Sequence, residues 1–94
     1  MAESRPEDAE IRRTLGDAYY QSGSPALAIP HFEKALAIAG TDVALRNALG
    51  ARHAAAGDPA RAIEYLEQSL QRSPDQEPVR ELLERLQSRP DPNR

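Results

Sequence analysis

Residues 23–29 read GSPALAI and residues 57–63 read GDPARAI, so one short phrase returns after 34 residues. Aligning 9–42 with 43–76 at that shift gives ten identities: Arg12/Arg46, Leu15/Leu49, Gly16/Gly50, Gly23/Gly57, Pro25/Pro59, Ala26/Ala60, Ala28/Ala62, Ile29/Ile63, Glu33/Glu67 and Leu36/Leu70. Ile11/Leu45 and Phe32/Leu66 are conservative apolar matches. A third, partial copy begins at Glu77, where Val79, Arg80 and Leu83 fall in register with Leu45, Arg46 and Leu49. A fixed period of roughly 20–50 residues marks an architecture of stacked units, each covering the apolar face of the next.

The phrase itself describes a corner between two antiparallel helices. Gly23 and Gly57 end one helix in the left-handed conformation that glycine adopts at little cost. Ser24 and Asp58 are then expected to cap the next helix by accepting from an orphan backbone N–H. Pro25 and Pro59 take the first helical position, where the missing N–H costs nothing. The corners and the apolar spacing predict helices at about 8–22, 25–39, 42–56, 59–72 and 76–88, with Thr41 or Asp42 capping the third and Asp75 the fifth. Ile11, Leu15, Ala18 and Tyr19 share one apolar stripe, and Ala28, Ile29, Phe32, Ala35 and Leu36 share another. Gly16 and Gly50 fall mid-helix, where glycine costs roughly 1 kcal/mol relative to alanine. Their return at the repeat period predicts a close helix–helix approach. Pro30, beyond the first turn of its helix, is expected to kink it or to remove one hydrogen bond.

The fold class is therefore all-α, five helices in a helical-hairpin repeat solenoid. We expect a flexible N-terminus at 1–7, one domain over 8–88 and a disordered tail at 89–94. The domain divides into a first repeat at 9–42, a second at 43–76 and a capping helix at 76–88. Val79, Leu82, Leu83 and Leu86 form the apolar stripe of that last helix, as the terminal cap of a repeat array requires.

Composition narrows the function. The 94 residues carry 12 Lys+Arg and 15 Asp+Glu, a net charge of −3 with the signs mixed, so the electrostatic footprint of a nucleic-acid binder is missing. There is no cysteine, which rules out disulfides, thiolate chemistry and Cys-based zinc sites. No apolar run approaches the roughly 20 residues of a membrane helix, and MAESRPEDAE is too acidic for a signal peptide. A cytoplasmic protein is expected. No Gly-rich phosphate loop, nucleophile elbow or paired-histidine metal motif occurs, so neither an enzyme nor a cofactor is expected. His31 and His53 lack ligand-spaced companions, and a packed, hydrogen-bonded imidazole is the expectation for His53. Arg12, Arg46 and Arg80 recur at 34, and their stems are expected to cover apolar surface between hairpins.

Leu15, Gly16 and Tyr19, followed by Ala28, Phe32 and Ala35, resemble the tetratricopeptide repeat. The second unit keeps Leu49, Gly50, Ala62 and Pro74 and departs at His53, Leu66 and Ser69. The first has Gly40 where the family's terminal proline stands, and Arg12 and Arg46 replace its early tryptophan. The resemblance covers residues 9–88. It implies a right-handed stack whose first helices line a concave groove, and an adaptor or scaffold that binds a peptide segment or a partner subunit.

By the same resemblance, the groove takes Glu10, Arg13, Asp17 and Tyr20 from the first helix, Ala44, Asn47, Ala51 and Ala54 from the third, and Glu81 and Arg85 from the fifth. We single out Arg13, Asp17, Tyr20, Asn47, Ala51, Ala54, Glu81 and Arg85 as partner-binding candidates. An ordinary solvated helix face is the competing reading, since charge on such a face is the default. The basic-and-asparagine clamp with which some family members hold a C-terminal carboxylate is not expected. Only Arg13 has its character, while Asp17, Ala48, Pro78 and Leu82 stand at its other positions. Two further functions compete with the groove binder: a homo-oligomer assembling through the uncovered first hairpin, where Leu27 lies, and an accessory domain of a larger protein.

Overall fold

The computed structural model describes residues 5–88 as five α-helices: α1 (Pro6–Gln21), α2 (Pro25–Ile38), α3 (Val43–Ala55), α4 (Pro59–Arg72) and α5 (Glu77–Ser88). Helix α2 packs against both α1 and α3, and α4 against both α3 and α5, so the stack grows one neighbour at a time. It measures 48 × 30 × 21 Å. The expected tail at 89–94 and residues 1–4 of the expected flexible N-terminus lie outside the described residues. Helix α1 begins earlier than expected, because Pro6 suits the first helical position and the Asp8 carboxylate accepts the Arg5 N–H at 3.0 Å.

Both corners close in the same way. Gly23 and Gly57 have φ of +88° and +86°. The Gly23 and Ser24 N–H groups donate to the Tyr20 and Tyr19 carbonyls, and those of Gly57 and Asp58 to Ala54 and His53. This paired pattern is the Schellman motif, which satisfies carbonyls that the helix end leaves open.

The caps differ from expectation at two places. Asp58 accepts from the Arg61 N–H and Asp42 from the Leu45 N–H, each at 3.1 Å, but Ser24 makes no side-chain capping bond. Ser24 and Asp58 share nearly one backbone conformation (φ −121°, ψ 67° against φ −119°, ψ 78°), so the difference lies in the side chain and not in the backbone. Gln76, not Asp75, directly precedes α5, and its carbonyl accepts the Arg80 N–H at 3.0 Å. Helix α2 runs through Pro30. Both Pro30 and Ala26, whose carbonyl loses its usual donor, are on the exposed side.

The hairpins interlock at the mid-helix glycines. A Cβ on Gly16 would stand 2.7 Å from Cε2 of Phe32, and one on Gly50 would stand 2.7 Å from Cδ2 of Leu66. Phe32 and Leu66 are fully buried, with Ala28, Ala35, Leu45 and Leu49 around the first and Ala62, Val79 and Leu86 around the second. A second contact closes each hairpin. Tyr19 stacks on His31 with centroids 5.3 Å apart and planes 8° from parallel, and His53 stacks on Tyr65 at 5.5 Å and 11°. Positions 19 and 53 are equivalent, as are 31 and 65, so the two repeats make the same stack with tyrosine and histidine exchanged.

One expected apolar stripe is not buried. Ile11, Leu15, Ala18 and Tyr19 lie along α1 as foreseen, but all four are exposed. Helix α3 has α2 on one side and α4 on the other, whereas α1 packs chiefly against α2.

Gly16→Leu is expected to lose about 1–3 kcal/mol by forcing Phe32 out of its seat, more than the roughly 1 kcal/mol that a better helix former returns. Urea unfolding checks this, and a raised midpoint would show that Phe32 moves aside freely. Deleting residues 76–94 exposes the face of α4 carrying Leu66, Ile63 and Leu70 and removes the burial of Val79 and Leu86. Each such aliphatic is worth about 1.5–3 kcal/mol when fully buried, against a typical total stability of about 5–15 kcal/mol. The shortened chain should show no cooperative thermal transition by circular dichroism. A melt within a few degrees of the full chain contradicts that.

Candidate interaction surface

The first helices of the two hairpins meet directly through Arg52. Its guanidinium lies 3.8 Å from the centroid of the Tyr20 ring and 5.2 Å from that of Phe32. It also sits 3.5 Å from the Asp17 carboxylate. Arg52 is largely buried, while Asp17 and Tyr20 remain open to solvent. The cation is thus held by a carboxylate and an aromatic face, an arrangement that gains strength as water is excluded. Asp17 and Tyr20 are sequence candidates, and the structure brings them together. Arg52 is not among the candidates, although it stands out as the first charge beside an alanine-rich helix end, in GARHAAAG.

Asn47 has a different occupation. Its side-chain N–H donates to Oε1 of Gln76 at 2.7 Å, and its carbonyl oxygen accepts from the Ser69 hydroxyl. Nε2 of Gln76 in turn donates to the Ser69 hydroxyl at 2.9 Å and to the Ser73 carbonyl at 2.8 Å. Both ends of the Asn47 amide are therefore engaged inside the protein, tying α3 to α4 and to the start of α5. Ser69, wholly buried where the resemblance implied alanine, is the centre of this network.

The remaining candidates are scattered. Arg13 and Ala51 are half-buried on α1 and α3, and Ala54 packs against the core between α4 and α5. Glu81 and Arg85 are exposed and, with Glu84 and Ser88, line a shallow depression of about 470 Å³ on α5.

His53 is packed as expected, but by stacking: its Nε2 is buried without a hydrogen-bond partner among the described residues. No group of three or more His, Cys, Asp or Glu among the described residues could hold a metal ion. No described helix is long and apolar enough to cross a membrane. Burial pushes the Tyr65 hydroxyl above its ordinary value of 10.0, with the negative charge of Glu33 adding to the effect.

Stacked antiparallel hairpins of one period, closed by glycine against a bulky apolar side chain, define a helical-repeat protein. The family profile of the tetratricopeptide repeat matches residues 20–86, and the chain belongs to that family. Such repeats generally serve as protein–protein interaction modules and are typically non-catalytic. No curated protein matches the chain significantly.

The raised Tyr65 pKa carries a sign. The folded chain holds this proton to higher pH than the unfolded chain, so the contribution is complete below pH 10.0 and is lost as pH climbs through the folded value. Denaturant midpoints should therefore fall above pH 10.0, and fall less in Tyr65→Phe. Identical alkaline slopes for the two proteins would remove Tyr65 as the cause.

Proposed function

We propose that the protein is an adaptor that takes a peptide segment or a partner subunit across the inner faces of α1, α3 and α5. The observation that carries this reading is the Arg52–Asp17–Tyr20 group. It joins two helices and leaves an aromatic ring and a carboxylate fixed at the surface rather than loose on long side chains. Side chains already held in place lose little entropy on binding, and tyrosine and arginine are the types enriched where binding energy concentrates. Arg13 beside this group, Ala51 as its floor and Glu81 and Arg85 at the far end complete the proposed surface. Ala54, packed against the core between α4 and α5, extends that floor, and Asn47 serves by holding α3 against α5 instead of contacting the partner.

The test places a photo-crosslinking residue at Tyr20 in one protein and at Glu67, on the exposed side of α4, in another. In extract of the source cells, a discrete protein adduct should form from position 20 and not from 67. Ala51→Arg, with its fold checked by circular dichroism, should weaken capture of that partner by about thirtyfold, the equivalent of roughly 2 kcal/mol. Adducts from position 67 alone would move recognition to the other side of the stack.

A further inference from the structure

The exposed stripe of α1 repeats, position for position, a surface that is covered elsewhere in the same molecule. Leu45 and Leu49 of α3 are 2% and 0% exposed, seated in the core that α2 builds with Ala35, Leu36 and Ala39. Val79 and Leu83, one repeat later, turn the same face of α5 onto α4. The equivalents on α1 are Ile11 and Leu15, and these are 57% and 41% exposed. With Asp8, Arg12 and Ile38 they line an open depression of about 490 Å³.

We infer that this face is a docking site for an amphipathic helix of a protein partner, one that presents alanine and aliphatic side chains along a single stripe as α2 does to α3. Charge specifies the occupant. Arg46, beside Leu45 and Leu49, donates its guanidinium to the Gly40 carbonyl just past the C-terminal end of α2. Arg12 is its equivalent and stands at the rim of the depression, so the incoming helix sets its C-terminal end there. A cation near the last turn complements the partial negative charge of open carbonyls.

A second copy is the less suitable occupant. The equivalent donor faces are those of α2 and α4, and both are already taken within each molecule, by α3 and α5. This inference does not depend on the groove reading, because it concerns the opposite side of α1.

The probe is a synthetic peptide of residues 25–40, the molecule's own α2, with Ala37→Lys joined to Glu33 by a side-chain lactam. Both bridged positions are on the exposed side of α2, so the bridge holds the peptide helical without touching its docking stripe. Fluorescence anisotropy with the full chain should show saturable binding. Leu15→Glu and Ile11→Glu should each weaken it at least tenfold, and Arg12→Gln severalfold. Both apolar positions are exposed, so these variants should keep the parent circular dichroism, and Glu84→Gln at the far end should bind as the parent does. Absence of binding at millimolar peptide overturns the inference, as does binding that Leu15→Glu and Ile11→Glu leave unchanged. Sedimentation of the chain alone is the companion measurement. A mass that rises with concentration and returns to monomer in Leu15→Glu would give the face to a second copy and overturn the assignment to a partner helix.

Discussion

The approach of Phe32 onto Gly16, and of Leu66 onto Gly50, sets the geometry on which every other contact rests. With no Cβ in the way, the larger side chain lies against the backbone of the facing helix, and the two helices of a hairpin come close enough to bury alanines at Ala28 and Ala62. Small residues allow close approach, and close approach leaves no space for larger ones; each condition enforces the other. The outer contacts then follow in register. The stacked Tyr19–His31 and His53–Tyr65 pairs close the hairpins near their corners, and the left-handed glycines turn the chain where those rings meet. The stacks exchange their residue types, so the geometry accepts either ring on either helix.

Between hairpins the molecule uses two kinds of joint. The first sets Leu45 and Leu49 against α2, with Arg52 bridging to Asp17 and Tyr20 of α1. The second adds a polar core, in which Asn47, Ser69 and Gln76 satisfy one another at the meeting of α3, α4 and α5. Buried polar groups are costly when unpaired and specific when paired. Gln76 has to reach Ser69 and Asn47 together, which fixes where α5 starts and selects one seating for a helix that apolar stripes alone would let slide. The same logic makes Ser69 intelligible. A small side chain is required by the packing, and a hydroxyl is required by the two amides beside it.

The repeat period, the corners and the glycine contacts were legible because each is local or is written twice. Gly23-Ser24-Pro25 and Gly57-Asp58-Pro59 carry their turn chemistry in three letters, and Gly16 and Gly50 mark the same place in each unit. What was not legible depends on pairs that share no period. Arg52 has no equivalent arginine in the first repeat, since Ala18 stands there, so the comparison that exposed everything else passed over it. The Asn47–Ser69–Gln76 network joins three residues far apart in the chain, and it took Asn47 from the free surface where the family pattern put it. The missing cap at Ser24 turns on the side chain alone, since its backbone matches that of Asp58. The open stripe of α1 was legible as a stripe and not as open, because the apolar pattern of a helix tells which face seeks cover, never whether cover is present.

Helix α1 consequently has two surfaces free of the core, and helical geometry keeps them apart. At about 100° per residue, Ile11 and Leu15 fall within roughly 40° of each other, whereas Arg13, Asp17 and Tyr20 lie some 140–180° away from the middle of that pair. Ala9 and Gly16, which face α2, occupy the arc beside the second group. The Arg52 bracket therefore looks inward along the stack and the Ile11–Leu15 face looks off its end. A helix seated on that end would bury apolar surface without approaching the guanidinium. A segment crossing α1 and α3 would meet Tyr20 and Asp17 without crossing Ile11. Occupying either surface leaves the other accessible, so what couples them is the stability of α1 itself. Held chiefly by α2, this helix gains most from any partner on either side, and a ligand on one face strengthens the platform that the other presents.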